Sequence, residues 1–199
     1  MMDWTAGQAL LSGGPVRVAD LTRAGISRSS LSRWMAAGHV RRLAPGLYGL
    51  DDVPVDEHYS FLTASRQAPK AVGCLLTALE FHGLTTQLPR DVWMALEGRS
   101  HQPKIRGVNV RFHRFTGNAF HEGIEVHAVA GGTVRVYGVA KTIVDCFRLR
   151  SKVGTDVAIE ALRDGLRSHK TSLDELDGLS RRLRIQTVMR PYLEMEAAS

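Results

Sequence analysis

Residues of types that could do chemistry fall into three groups along the chain. The first is the run SRSSLSR at 27–33. On a helix, at about 100° per residue, Ser29 and Arg33 point away from the apolar side chains Leu31, Trp34 and Met35. Ser30, Ser32, Ala36 and, near the helix start, Arg28 flank them. This face carries no carboxylate, which suits a DNA major groove, where short hydroxyls allow close approach and arginine reaches guanine edges or phosphates. Arg41 and Arg42 follow where a wing would touch backbone phosphates. The second group is Lys141, Thr142 and Asp145. Lys141 and Asp145 are spaced to pair across one helical turn, and Thr142 can bond a backbone carbonyl. Either a satisfied surface pair or a functional cluster fits that spacing. The third group is His113, His121, Glu122, Glu125 and His127, in which Glu125 and His127 share one face of a strand. A divalent metal is the chemistry such residues could do, but the spacing is irregular and a Gly117-Asn118 loop intervenes, so no metal and no cofactor are expected. His82, beside Gly83, reads as a helix C-terminal cap and not as a base.

The elements that must position the first group are legible from 15 to 50. Val18, Leu21 and Ala24 give a short helix an apolar stripe, ended by Gly25. Ser27 is placed to cap a second helix that Gly38 stops. Val40–Leu43 and Leu47–Leu50, joined by Ala-Pro-Gly, read as a hairpin. With a first helix over 4–12, packed through Trp4 and Leu11, this makes a winged helix-turn-helix. Asp51, Asp52 and Pro54 interrupt the pattern, Asp56 can cap the next helix, and a domain boundary is expected near residue 55.

Beyond it, helices are expected at 58–68 and 74–82. From residue 90 the period changes to two: Val92, Met94 and Leu96; Val108, Val110 and Phe112; Ile124, Val126 and Ala128; Val134 and Val136, with a Gly131-Gly132 hairpin signal between the last two. A small, mostly antiparallel sheet is expected from this pattern, with a basic loop over 98–107. Helices return at 139–148, 154–168 and 172–183, the last with Ser172 and Glu175 spaced as a capping box. The fold class is therefore α+β, with a winged helix-turn-helix over 1–55 and a mixed α+β domain with C-terminal helices over 56–199.

Of 199 residues, 44% are hydrophobic, enough for a substantial core. The net charge is +6, and its distribution is uneven. Residues 1–50 hold six arginines (Arg17, Arg23, Arg28, Arg33, Arg41, Arg42) against Asp3 and Asp20, a balance of +4 that leaves +2 for the rest. The excess therefore sits on the candidate DNA reader. Cys74 and Cys146 lie in apolar runs and read as buried free thiols, which fits a reducing cytoplasm. Neither a signal peptide nor a membrane span is legible.

Three segments, RRLAPGLYGL at the wing, CLLTALEFHGL at 74–84 and VRVYGVAKTIVDCFR at 134–148, resemble the AbiEi family of antitoxins from type IV toxin-antitoxin systems in order and approximate spacing. The resemblance implies a transcriptional repressor of its own operon that also counteracts a nucleotidyltransferase-like toxin, with Lys141, Thr142 and Asp145 serving antitoxin function. It implies no enzyme, and leaves open whether the two proteins touch, because antitoxins of this type need not act by a stable complex. Two other readings stay open. A ligand-sensing repressor would need a large apolar pocket in its second domain. A metal-dependent enzyme guided by the winged helix would need a carboxylate or His/Cys set on the sheet, of which the sequence offers only the loose histidine cluster. No nucleophile elbow, P-loop or strand-borne Asp with Glu-x-Lys is present.

Overall fold

The computed structural model describes residues 2–12, 14–51, 58–87, 89–129 and 132–198. The fold is α+β. In chain order come helix α1 (Met2–Ser12), strand β1 (Val16–Arg17), helices α2 (Val18–Arg23) and α3 (Arg28–Ala36), and strands β2 (Val40–Ala44) and β3 (Leu47–Leu50). Next are α4 (Tyr59–Gln67), β4 (Val72–Gly73), α5 (Leu75–Phe81), β5 (Val92–Glu97), β6 (Val110–Phe115), the single turn α6 (Asn118–His121), β7 (Ile124–Val129) and β8 (Gly132–Tyr137). The chain ends in α7 (Val139–Arg148), α8 (Arg150–Val153), α9 (Thr155–Arg167), α10 (Leu173–Arg182) and α11 (Gln186–Ala197).

The first sheet is antiparallel, in the order β1-β3-β2. Its hairpin turns where expected, with Gly46 at φ +79°, and a bulge lies between Arg42 and Ala44. Strand β1 carries no period of its own and is fixed by β3, Val16 standing opposite Tyr48. Leu11, Val16, Leu21, Ile26, Leu31, Trp34 and Val40 form one apolar core around this unit.

The second sheet has the order β6-β5-β4-β8-β7. It is mixed: β4–β5 and β7–β8 are antiparallel, whereas β4–β8 and β5–β6 are parallel. Alternation reports which side chains share a face and is silent on strand direction, so the two parallel pairings add to the expected antiparallel ones. Strand β5 is buried on both faces, with Trp93 and Ala95 in one core and Val92, Met94 and Leu96 in another. Helices α5, α7, α9, α10 and α11 fill the first of these cores, and α4 covers the second. The capping box at the start of α10 is half formed. Ser172 Oγ accepts from the Glu175 N–H, while the Glu175 carboxylate accepts from Thr171 Oγ1 at 2.9 Å. The boundary expected near residue 55, the Asp56 cap and Gly131 of the second hairpin lie outside the described residues. Val129 pairs with Gly132 across that hairpin.

Candidate nucleic-acid interface and the buried pair on the central helix

Helix α3 starts because Ser27 Oγ accepts the Ser30 N–H at 3.1 Å, and Gly38, at φ +72°, comes just after its C-terminal end. Leu31 and Trp34 turn into the core. Arg28, Ser29, Ser32, Arg33 and Ala36 are exposed on the opposite side. No aspartate or glutamate occurs between 21 and 50, so nothing on this segment opposes a polyanion. Two residues depart from expectation. Ser30, placed by its spacing on the flank of the outward face, is only 2% exposed. It lies one turn before Trp34, and its hydroxyl is held by Ser27 Oγ at 2.9 Å and by Arg33 Nη2 at 3.2 Å. Ser30 thus braces the helix start and Arg33 and is withdrawn from the surface. Met35, expected in the apolar stripe, is 39% exposed; it stands at the edge of the stripe, a position past Trp34.

Helix α3 rests on α1. Trp4 meets Trp34 edge to face at 5.0 Å, and a Cβ added at Gly7 would overlap the Trp34 ring. On the wing, Arg41 pairs with Gly49 and Arg42 with Tyr48, so their side chains leave opposite faces of the hairpin. Arg42 is exposed, but Arg41 is half-buried. Burial raises the Tyr59 phenol above its usual pKa, and the Arg41 charge offsets part of that rise. The wing therefore presents Arg42 outward and turns Arg41 toward α4, so of the two expected phosphate contacts Arg42 is the exposed one.

Lys141 and Asp145 do not form a surface pair. Each side chain is 1% exposed, because α7 is covered by α5, α9, α10 and α11. Lys141 Nζ donates to Asp145 Oδ2 and lies 4.0 Å from the Tyr137 ring centroid. Arg148 Nη2 sits 3.2 Å from Asp145 Oδ1, with its guanidinium 4.6 Å over the Phe115 ring. Burial pushes the lysine pKa down and the aspartate pKa up, and each is resisted by the opposite charge of the other. Thr142 Oγ1 donates to the Tyr137 carbonyl at 3.0 Å, and His82 Nε2 lies 2.8 Å from the same oxygen. His82 is the C-cap residue of α5, as its place beside Gly83 suggests, and its ring also ties that helix to the end of β8. The spacing of Lys141, Thr142 and Asp145 reveals their mutual reach. Arg148, three residues past Asp145, is the member that sequence reasoning misses, and its i, i+3 spacing is the signal that could have found it.

The histidine cluster is dispersed. His121 Nε2 pairs with Glu97 Oε1 at 2.7 Å, Glu122 with Arg182 at 2.9 Å and His127 with Glu125 at 2.7 Å. His113 stacks on Trp93 at 4.8 Å. Burial, with the charges of Lys152 and Arg111, holds the His113 pKa down to about 4. Among the described residues no three His, Cys, Asp or Glu side chains converge as metal ligands would. Both cysteines are buried free thiols whose pKa values burial raises. No helix among these residues is long and apolar enough to cross a membrane.

Three helices and a three-stranded wing, with a carboxylate-free helix face turned to solvent, define a winged helix-turn-helix of the kind that reads duplex DNA. Residues 9–50 match the family model described as transcriptional regulator, AbiEi antitoxin, in agreement with the resemblance carried by the wing motif. That match spans α2, α3 and the wing, the segment bearing the candidate interface. No curated protein matches the chain.

Proposed function

We propose that this protein is a cytoplasmic antitoxin of a type IV toxin-antitoxin system, which represses its own operon by binding operator DNA and counteracts a nucleotidyltransferase-like toxin. It acts by binding and not as an enzyme. Residues 1–55 are the DNA-binding domain and residues 56–199 the antitoxin domain. The observation that carries the DNA reading is the exposed face Arg28, Ser29, Ser32 and Arg33 on a helix whose segment matches a regulator family. Arg33 is the residue placed to read a base, since Ser30 braces its guanidinium. Ser29 and Ser32 permit the close approach, and Arg28 and Arg42 meet phosphates. Lys141, Thr142 and Asp145 serve the antitoxin domain from inside it, by fixing α7 against β8 and holding Arg148.

Arg33→Ala should remove about 1 to 3 kcal/mol of binding to the DNA upstream of the gene, with much less effect on unrelated duplexes. Fluorescence anisotropy on both duplexes reads this, and unchanged affinity for the native promoter would remove α3 as the reading helix.

A further inference from the structure

A cleft of about 410 Å³ opens between β6 and the corner where α7 passes into α8. His113, Arg114, Phe115, Thr116, Arg148 and Lys152 are among its lining residues, and no carboxylate is. Two permanent cations, Arg148 and Lys152, thus face a space the size of a small-ligand pocket, beside His113. The charge beneath it is also unbalanced. Asp145 is one carboxylate shared by two cations, Lys141 on Oδ2 and Arg148 on Oδ1. The buried Lys141 neutralises it, so the Arg148 charge is surplus and is carried to the cleft, where its guanidinium carbon lies 4.6 Å from the Phe115 ring centroid. Arg114 alternates with His113 and Phe115 along β6 and is engaged elsewhere, Nη1 donating to the carbonyls of Gly98 at 2.7 Å and Ser100 at 2.9 Å, so it contributes backbone to the cleft wall. Lys152 is exposed at the rim.

We propose that this cleft binds a phosphoryl anion, of the kind carried by pyrophosphate or by the polyphosphate chain of a nucleotide. Planar guanidinium groups suit phosphate oxygens because each can offer two parallel N–H donors. Pre-set side chains reduce the ordering cost of binding. The Lys141–Asp145 pair then acts as a strut inside the helix layer, positioning Arg148 for a ligand that the pair does not touch. The cleft lies outside residues 9–50, and the proposal rests on nothing in the DNA reading.

Isothermal titration of the full-length protein with pyrophosphate and, separately, with ATP, at fixed ionic strength, tests this. Saturable binding of either is expected. ATP binding at least tenfold tighter than pyrophosphate would identify a nucleotide as the source, and equal affinities would identify the phosphate chain alone. Lys152→Glu should weaken both by tenfold or more, and Arg148→Gln should do the same while leaving Asp145 paired with Lys141. Lys104→Glu, a charge reversal outside the cleft, should change neither. Circular dichroism and melting curves confirm that each variant is folded. No heat with either anion, binding of a glutamate hexapeptide as strong as that of pyrophosphate, or wild-type affinity in folded Lys152→Glu would each overturn the proposal.

Discussion

Asp145 is the side chain whose removal should be felt most widely. Taking it away strands Lys141, which is 1% exposed, beside the Tyr137 ring with no counter-charge and pushes Arg148 off its anchor. Breaking a buried pair from one side costs about 3 to 5 kcal/mol, whereas replacing both partners by apolar groups of similar volume is often close to neutral. Asp145→Leu alone should therefore lower the urea midpoint sharply, and Lys141→Met combined with Asp145→Leu should recover much of the loss. Denaturation curves of the two single variants and the double variant read the coupling directly. Additive losses would show that the two charges do not depend on each other. Alanine at all three of Lys141, Thr142 and Asp145 would confound function with unfolding, since Thr142 also holds the Tyr137 carbonyl.

The wing tests what a hairpin contributes as an element. Arg42→Ala should flatten the log-log salt dependence of DNA binding by about one unit, as expected when one fewer phosphate is neutralised. Arg41→Ala should leave that slope near wild type, because its side chain is half-buried on the Tyr59 side. Equal slopes for wild type and Arg42→Ala would take the wing off the DNA. Elements held by local chemistry are legible in the sequence alone. Ser27 and Ser172 cap α3 and α10 at their starts, and Gly25 and Gly38 adopt positive φ angles just past the ends of α2 and α3. Strands β1 and β4 are not legible, since two residues carry no period and only their neighbours make them strands. The parallel pairing of β5 with β6 depends on the course of the chain over 98–109, which alternation does not record. At the candidate sites, i, i+4 spacing places Lys141 against Asp145 but is blind to the helices that bury them. The same blindness puts Ser30 on the surface.

At the scale of the whole molecule, the apolar cores divide along the chain. One is built from residues 4–50, and the other two from residues 61–193. A fragment starting near residue 55 should therefore fold cooperatively, fail to bind the operator and still protect cells that express the neighbouring toxin. Growth rescue with a gel shift on the same fragment measures both halves of that expectation. Rescue by residues 1–55 alone would overturn the division of labour. The polar contact of Arg66 with the Pro15 carbonyl joins α4 to the winged unit, so the isolated fragment should melt somewhat below the full chain.

Gly7 lies against Trp34, on the side of α3 opposite its exposed face Arg28, Ser29, Ser32 and Arg33, yet it sets how that helix is presented. The bare backbone of α1 comes close against the Trp34 indole at Gly7, and a single methyl there would wedge the two helices apart. Gly7→Ala should accordingly behave as a specificity mutation at a distance. It should reduce discrimination between operator and random duplex while leaving the salt slope of nonspecific binding unchanged. In an evolving lineage, then, the register of the reader on its operator can be retuned from the back of the module, without exchanging any residue that meets a base.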